Sequence, residues 1–141
     1  MSRILYTGGT FDLFHPGHAF LLKQCRELAD KVIVSLNTDD FVARYKGKAP
    51  VLNFKERRAC LEACKYVDEV IINIGDEDSK PAILLSGANI IAIGEDWAAK
   101  DYHAQMGFTQ QWLDEHKIIL KYLPHEPGLS STIIKERVKS K

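Results

Sequence analysis

The sequence predicts an α/β fold in which five parallel strands form one sheet with helices on both faces. Two observations support this prediction. Short apolar runs rich in β-branched residues alternate along the chain with segments whose apolar residues recur at helical spacing. The strand runs are nearly continuous, as expected of strands that are buried on both faces of a sheet. No repeat, low-complexity tract or linker interrupts the 141 residues, so we expect a single domain over 1–141.

Each element follows from its local pattern. The apolar run Ile4–Tyr6 predicts the first strand, and apolar residues at helical spacing predict a helix over about Pro16–Leu28. Asn53 precedes a further helical pattern and has Glu56 three residues later, which is the spacing of a capping box. The same criteria predict strands Val32–Leu36, Val67–Ile72, Ile90–Ile93 and Ile118–Leu123, and helices over Phe54–Ala63, about Lys80–Ser86, about Thr109–His116 and Thr132–Lys139.

Polar residues concentrate in the connections that follow the strands. Asn37–Asp40 supplies turn and capping residues, Arg44–Pro50 reads as a polar, flexible segment, and Pro124–Gly128 as a loop. In open parallel sheets, ligands bind beyond the carboxyl ends of the strands, near the point where the strand order reverses. We therefore expect the segments after strands one, two, four and five to converge on one site: Gly9–His18, Asp39–Lys48, Gly94–Trp97 and His125–Thr132.

Composition and charge narrow the class of protein. Hydrophobic residues make up 45% and charged residues 27% of the chain, the balance of an ordinary globular protein. Lys+Arg and Asp+Glu are equal at 19 each, which argues against nucleic acid or an anionic membrane as a partner. The chain has no apolar run of membrane-spanning length and no signal-peptide pattern at its start. We therefore expect a cytoplasmic protein without membrane insertion.

The three cysteines, Cys25, Cys60 and Cys64, all fall in predicted helical patterns. Cys60 and Cys64 share one helix face, and neither a His nor a further Cys lies near them, so they form a poor zinc site. We expect three reduced, buried thiols that pack as small apolar residues. The sequence predicts no metal site made by protein side chains.

A phosphate-binding site is predicted where the first strand meets the first helix. The backbone N–H groups of a helix N-terminus are unpaired, and the helix dipole favours negative charge there. His15 and His18 add side-chain donors, and Gly17 allows a phosphate to approach the backbone closely. Gly9 and Thr10 shape the same turn. Whether Asp12 orients this turn or takes part in catalysis is left open by the sequence.

The segment Gly9–His18, which reads GTFDLFHPGH, resembles the signature of the cytidylyltransferase group of nucleotidyltransferases, with its HxGH element. The resemblance continues in order along almost the whole chain and includes Tyr45–Lys48, Gly94–Trp97 and Gly128–Thr132. It is strongest to the glycerol-3-phosphate cytidylyltransferases, and the ethanolamine-phosphate enzymes share several segments. The resemblance implies a single-domain, Rossmann-like nucleotidyltransferase fold. HxGH alone also occurs in adenylyltransferases.

The resemblance implies a reaction, a cofactor and an assembly. CMP passes from CTP to a phosphorylated small alcohol, with glycerol 3-phosphate the first expectation, and pyrophosphate leaves. No protein nucleophile is needed, so positioning and charge stabilisation carry the catalysis. The implied cofactor is Mg²⁺, held mainly by the nucleotide phosphates and water. The implied assembly is a homodimer.

The resemblance also implies residue roles. His15, His18 and Lys46 are the expected catalytic residues. Nucleotide binding is expected of Gly9, Thr10, Phe11, Asp12, Gly17, Gly94, Asp96, Trp97, Gly128, Ser130, Ser131 and Thr132. Binding of the phosphorylated acceptor is expected of Asp39, Lys46, Lys48, Arg57, Lys65 and His125.

Several of these roles have structural alternatives. Lys46 and Lys48 could be ordinary surface charges, Arg57 a solvated ion pair, and Trp97 part of the core. One of the three hydroxyls at Ser130–Thr132 is explained by helix capping alone. Lys65 and His125 stand where the resembled enzymes carry Arg. Lys65 keeps the positive charge but cannot form the two parallel hydrogen bonds of a guanidinium. His125 replaces a permanent positive charge with a group that can lose its proton. The alternative functions are transfer to ethanolamine phosphate or another phospho-alcohol, adenylyl transfer, and nucleotide binding without turnover in a regulatory module.

Overall fold

A computed structural model describes residues 2–94, 102–124 and 130–141. Strands and helices alternate along these ranges as the sequence predicts. The strands are β1 (Ile4–Gly9), β2 (Lys31–Leu36), β3 (Glu69–Ile72), β4 (Ile90–Gly94) and β5 (Ile119–Leu123). The helices are α1 (Pro16–Leu28), α2 (Asp39–Lys46), α3 (Phe54–Glu62), α4 (Lys80–Ser86), α5 (Tyr102–Met106), α6 (Gln110–Glu115) and α7 (Ser131–Lys139).

The five described strands form one sheet in the order β3-β2-β1-β4-β5, and every neighbouring pair is parallel. The chain builds outward from β1 in one direction and then in the other, so the strand order reverses between β1 and β4. The predicted α/β fold with a five-stranded parallel sheet is therefore confirmed. The reversal places the ligand crevice of such a sheet beyond the carboxyl ends of β1 and β4.

Helices cover both faces of the sheet, because successive strand residues point to opposite sides. Leu5 packs with Cys25 of α1 on one face, where Leu61 of α3 joins a neighbouring cluster. On the other face, Tyr6 packs with Ile83 of α4 and with residues of α6. Burial on both faces explains why the strands read as nearly continuous apolar runs.

The first strand is longer than the apolar run predicts. It continues to Gly9 because its backbone pairs with β2 up to the register Gly9↔Leu36. Conversely, β3 begins at Glu69, since Val67 N–H bonds back to Cys64 O in a turn. The predicted helix over Phe54–Ala63 ends at Glu62, and the last helix starts one residue early, at Ser131.

The capping part of the prediction for Asn37–Asp40 is confirmed at Thr38, but the flexible segment predicted from Arg44 was wrong over its first three residues, because α2 spans Asp39–Lys46. Thr38 caps its N-terminus by accepting from Phe41 N–H, and Gly47 ends it with a φ of 82°. Both signals are present in the sequence, but the polar surface of the segment obscured them. The short helix α5 was not predicted either.

Cys25 is fully buried, as predicted, but Cys60 is exposed and Cys64 is half-buried beyond the end of α3. The prediction that Cys60 and Cys64 share a buried helix face was therefore wrong. The helix places Cys60 toward solvent, while Arg57 and Leu61 take the buried positions of α3. In the described ranges, no helix has the length and hydropathy to cross a membrane.

Candidate active site

A pocket of about 770 Å³ opens where the strand order reverses. β1 and β4 pair only through Leu5↔Ile90 and Tyr6↔Ile91, so the two strands separate beyond Tyr6. Gly8 and Gly9 line the opening. The pocket lies at the carboxyl edge of the sheet, where ligands bind in folds of this class.

The turn that follows β1 has an unusual backbone. Phe11 and Leu13 adopt left-handed conformations, with φ of 51° and 52°, which L-residues rarely occupy outside functional or tightly packed turns. The Phe11 ring packs against the backbone of Gly9, where a Cβ would lie 3.0 Å from Cε2 of the ring. Gly9 therefore allows Phe11 to turn inward and the chain to enter α1.

His15 and His18 form a reciprocal cap on α1. The Gly17 N–H donates to His15 Nδ1 at 3.0 Å, and the His15 N–H donates to His18 Nδ1 at 3.3 Å. Because both Nδ1 atoms accept hydrogen bonds, each neutral ring carries its proton on Nε2. The cap thus fixes the tautomer in which Nε2–H is a donor.

The surroundings of both histidines lower their pKa values and so favour the neutral rings. The pKa of His18 falls to about 3, mainly because the side chain is buried and also because His15 lies beside it, while Asp12 opposes the shift. Burial also lowers the pKa of His15. The two rings stack with centroids 3.8 Å apart, so two charges would lie in direct contact. His18 lines the pocket and therefore presents a neutral hydrogen-bond donor to it.

Asp12 ties the turn to the segment before α3. Its two carboxylate oxygens accept from the N–H groups of Val51 and Leu52, at 2.8 and 2.9 Å. The Lys135 ammonium lies 3.7 Å from the same carboxylate. These contacts support the orienting role that the sequence left open for Asp12.

Arg57 is fully buried behind the turn, contrary to the alternative of a solvated ion pair. Its guanidinium donates to Thr10 O (2.8 Å), to Leu52 O (3.0 Å) and to Asp39 Oδ1 (2.7 Å). Asp39 Oδ2 in turn accepts from Phe54 N–H. Arg57 therefore fastens the turn, α2 and α3 together from behind the pocket.

The N-terminus of α7 closes the opposite side of the turn. Ser130 caps the helix by accepting from Ile133 N–H, and the Ser131 hydroxyl donates to Asp12 O at 2.7 Å. Ser131 and Thr132 line the pocket. A second helix N-terminus thus faces the same space as that of α1, which suits an extended anion.

Among the residues that the structure describes, four lysines line the pocket: Lys46, Lys48, Lys135 and Lys139. Lys46 ends α2, and Lys48 follows it after Gly47. Lys135 and Lys139 are one turn apart on α7. Cations on two elements therefore approach the pocket from different sides, as expected for a ligand with several phosphates.

Neutral polar groups line the part of the pocket over β2 and β3. Asn73 Nδ2 donates to Asn37 Oδ1 (2.9 Å) and to Asp76 O (3.0 Å). Asn37 Nδ2 donates to Thr10 Oγ1 (3.3 Å), which shares a hydrogen bond of 3.2 Å with the Tyr45 hydroxyl. We call the set Thr10, Asn37, Tyr45 and Asn73 the amide arm.

The structure brings many of the predicted site residues to the pocket and leaves others outside its lining. Those that line it are Gly9, Thr10, Phe11, Asp12, His18, Lys46, Lys48, Ser131 and Thr132. His15, Gly17 and Ser130 act as caps beside it, Asp39 and Arg57 lie behind it, Gly94 ends β4, and Lys65 lies over the ring of Tyr66. Asp96, Trp97, His125 and Gly128 lie outside the described residues.

Several polar residues of the pocket lining were not predicted as site residues from the sequence. Lys135 and Lys139 follow Ser131 at intervals of four residues, so helical spacing alone would have placed them on its face. Asn37 and Asn73 each come directly after a strand, where the carboxyl-edge rule applies equally. Tyr45 lies in the segment Asp39–Lys48 that was expected to reach the site, but the sequence assigned it no role of its own.

Comparison with known proteins agrees with this geometry. The sequence model of the family described as Cytidylyltransferase-like matches residues 6–137. Glycerol-3-phosphate cytidylyltransferase of Bacillus subtilis is 35% identical over 138 residues, which cover 98% of this chain and 98% of that protein. Ethanolamine-phosphate cytidylyltransferase of Dictyostelium discoideum is also 35% identical and matches 97% of this chain, but this chain spans only 38% of that longer protein.

Among solved structures, the lipopolysaccharide core biosynthesis protein of Thermoplasma volcanium has the same fold. Its TM-score is 0.67 at 24% identity, and the match covers 89% of this chain and 100% of that one. In the described ranges of this chain, no group of three His, Cys, Asp or Glu side chains is arranged to hold a metal ion.

Proposed function

The chain belongs to the cytidylyltransferase-like family, and from this we propose that it is an enzyme that transfers CMP from CTP to a phosphorylated small alcohol. Glycerol 3-phosphate is the first candidate acceptor, since the Bacillus subtilis relative that carries this name matches the chain along nearly its full length. One structural observation supports the proposal above others. The cap of α1 presents His18 as a neutral donor in a lysine-lined pocket.

The reaction is an in-line displacement at phosphorus. A phosphate oxygen of the acceptor forms a bond to the α-phosphorus of CTP, the bond from that phosphorus to the β-phosphate oxygen breaks, and pyrophosphate leaves with the bond's electron pair. No covalent enzyme intermediate is required. Catalysis then depends on holding two anions close together and on stabilising charge as it moves to the leaving group.

Each group of pocket residues has a separate role in this reaction. His18 donates its Nε2–H to an α- or β-phosphate oxygen, and His15 keeps the ring of His18 in place. Lys46, which is exposed at the end of α2, bridges the α-phosphate and the acceptor phosphate. The α7 N-terminus with Ser131, Thr132 and Lys135 holds the β- and γ-phosphates. Asp12 and Arg57 hold the turn after β1 in place against α3 and α7.

Mg²⁺ belongs to the proposal as a ligand of the nucleotide. Mg²⁺ usually keeps several waters and is held through one or two carboxylates together with the phosphates of the substrate. The ion would supply positive charge at the phosphates.

Homodimer formation and a cytoplasmic location are also part of the proposal. β3 is an edge strand, and exposed apolar side chains lie on it and nearby, among them Ile72 and Ile74 at 43% and 58% exposure. Analytical ultracentrifugation at micromolar concentration would give twice the monomer mass.

The proposed cytoplasmic location is supported by the three free thiols, which suit a reducing compartment.

Ethanolamine phosphate is the second candidate acceptor, because the Dictyostelium discoideum relative carries that name. The test is a matrix of pyrophosphate release with CTP, ATP, GTP and UTP against a panel of phospho-alcohols. Release with CTP and one phospho-alcohol is the expected result. Dependence on ATP would instead indicate adenylyl transfer, and nucleotide binding without release in every pairing would indicate a regulatory module.

A further inference from the structure

The amide arm is a connected wall of neutral polar groups. It runs from Asn73, which is only 5% exposed, through Asn37 and Thr10 to Tyr45, which is 44% exposed. Three of its members follow the carboxyl ends of three adjacent strands, and the fourth lies on α2. Its buried end is therefore fixed by the sheet, and its other end faces the pocket.

The arm has unused hydrogen-bonding capacity. Asn37 Nδ2 has two hydrogens, of which Thr10 receives one. The Thr10 and Tyr45 hydroxyls share one hydrogen bond and retain a further donor and several lone pairs. In the described part of the chain, buried Asn73 Oδ1 has no hydrogen-bond partner. Such a surface suits a ligand that both donates and accepts, which is what a hydroxyl group does.

Among the described residues, Arg44 pairs with two carboxylates and one aromatic ring beside the arm. Arg44 lies 3.3 Å from Asp76 Oδ2, and its Nε donates to Glu77 Oε1 at 3.1 Å. The same guanidinium lies over the ring of Phe41, 5.4 Å from its centroid. Carboxylates and aromatic faces are the groups that bind an ammonium ion. The amine of an amino alcohol would therefore compete with Arg44 for these two carboxylates and this ring.

We propose that the amide arm selects the acceptor of the reaction, and that Asn37 and Tyr45 contact uncharged hydroxyls on its carbon chain. The preferred acceptors are then phosphorylated polyols rather than phosphorylated amino alcohols. Asn73 is a positioning residue that holds Asn37 from behind, and Arg44 screens the carboxylates. This inference rests on the proposed CMP transfer and adds the residues that determine specificity.

Three acceptors test the wild-type enzyme with CTP: glycerol 3-phosphate, 3-hydroxypropyl phosphate, which lacks only the C2 hydroxyl, and ethanolamine phosphate. We expect kcat/KM to fall about three- to tenfold when the C2 hydroxyl is removed, the value of one hydrogen bond. Ethanolamine phosphate should be the poorest of the three. Equal use of all three, or a preference for ethanolamine phosphate, would overturn the inference.

Asn37→Asp changes the charge of the arm while it keeps the shape of the side chain. The new carboxylate still accepts from Asn73 Nδ2, and the Thr10 hydroxyl turns to donate to it. We expect kcat/KM for glycerol 3-phosphate to fall about tenfold and the relative use of ethanolamine phosphate to rise about tenfold, with KM for CTP unchanged. Asn53→Asp is the matched control, since Asp caps α3 as well as Asn does.

Tyr45→Phe provides a second variant on an exposed side chain, so it does not depend on how Asn37→Asp folds. We assign the Tyr45 hydroxyl to the C2 hydroxyl of the acceptor, so the change should lower kcat/KM for glycerol 3-phosphate about three- to tenfold and leave 3-hydroxypropyl phosphate nearly unaffected. A uniform loss with every acceptor in both variants would assign the arm a purely structural role. Absence of turnover in every wild-type pairing would overturn the proposed function itself, whereas turnover with unaltered acceptor ratios would overturn only the inference.

Discussion

At the scale of single residues, the two nitrogens of His18 do different work. Nδ1 accepts from the His15 N–H and completes the cap of α1, which leaves Nε2–H for the pocket. His18→Ala would remove both nitrogens, so its effect could not be assigned to the loss of the helix cap or to the loss of the hydrogen-bond donor in the pocket. Asn retains an acceptor near the position of Nδ1 and removes only Nε2–H.

His18→Asn should lower turnover by a factor of about 10²–10³, the usual effect of removing one preorganised donor. It should also change the pH dependence of stability. Because the pKa of His18 falls from 6.5 to about 3 on folding, the unfolded chain binds a proton that the folded protein does not bind between these values. The neutral His18 therefore costs no stability above pH 6.5, and its effect lowers the free energy of unfolding of the wild type as the pH drops toward 3.

Urea unfolding at pH 7, 6, 5 and 4 measures this difference. The wild-type free energy of unfolding should fall faster than that of His18→Asn, by up to about 1.4 kcal/mol per pH unit for one proton. His116→Asn is the control, since His116 is exposed at the end of α6 and should change neither rate nor slope. Parallel pH curves for wild type and His18→Asn would contradict the assigned burial.

Arg57 supports the structure from behind the pocket, whereas Lys46 is proposed to contact the substrate, and one substitution at each residue distinguishes the two roles. Arg57→Lys replaces a three-way donor with a single ammonium and should cost about 2–4 kcal/mol of unfolding free energy, because buried acceptors lose charged partners. Lys46→Met should leave stability within about 0.5 kcal/mol and reduce turnover. Denaturant melts and initial rates distinguish the two. Arg58→Lys, an exposed neighbour, is the control, and a stability loss of similar size there would refute the buried role.

Arg57 also shows what a sequence can predict about single residues. Its position on a helix beside Glu56 and Arg58 suggested a surface ion pair or a substrate contact equally well. Its acceptors are Thr10 O and Leu52 O, which are backbone atoms and have no signature in the sequence. By contrast, the two histidines were predictable, because local spacing alone brings them together at the start of α1.

At the scale of elements, α2 decides where Lys46 and Lys48 lie. The helix ends at Gly47, whose φ of 82° favours glycine although a Cβ there would meet nothing within 4 Å. Strands and long helices were predicted well, because apolar periodicity records which faces are buried. α2 was missed because six of its eight residues are partly or fully exposed, with only Phe41 and Val42 buried.

Gly47→Ala tests the placement of the lysines by α2. The change should cost about 1 kcal/mol from backbone conformation alone. Gly87→Ala is a matched control, because Gly87 ends α4 with a φ of 70° and equally open space around its Cα. Both variants should melt alike, and only Gly47→Ala should raise KM for the acceptor. Identical kinetics in the two variants would show that α2 does not position the substrate contacts.

At the scale of the whole molecule, the parallel sheet brings distant segments to one edge. The sequence predicted this convergence from the strand pattern, and the described segments after β1, β2 and β3 meet at the pocket with α7. The contribution of β3 was not predicted, because Asn73 is a single polar residue after a short strand. The amide arm depends on strand order, which no local pattern encodes.

The place of Mg²⁺ can be tested on the whole protein. If the ion arrives with the nucleotide, EDTA should abolish turnover and leave the melting temperature of the nucleotide-free protein unchanged. Thermal melts with and without EDTA, together with rates after Mg²⁺ is restored, make the comparison. A lower melting temperature in EDTA alone would indicate a metal site built by the protein.

The central claim is that an acceptor phosphate oxygen attacks the α-phosphorus of CTP. The most direct test uses glycerol 3-phosphate whose non-bridging phosphate oxygens are ¹⁸O, with unlabelled CTP, and follows both products by ³¹P NMR. Attack by the acceptor phosphate gives unlabelled pyrophosphate and a CDP-linked product with ¹⁸O in the bridge between its two phosphorus atoms. Label in the pyrophosphate, or a product whose bridge contains no ¹⁸O, would contradict it.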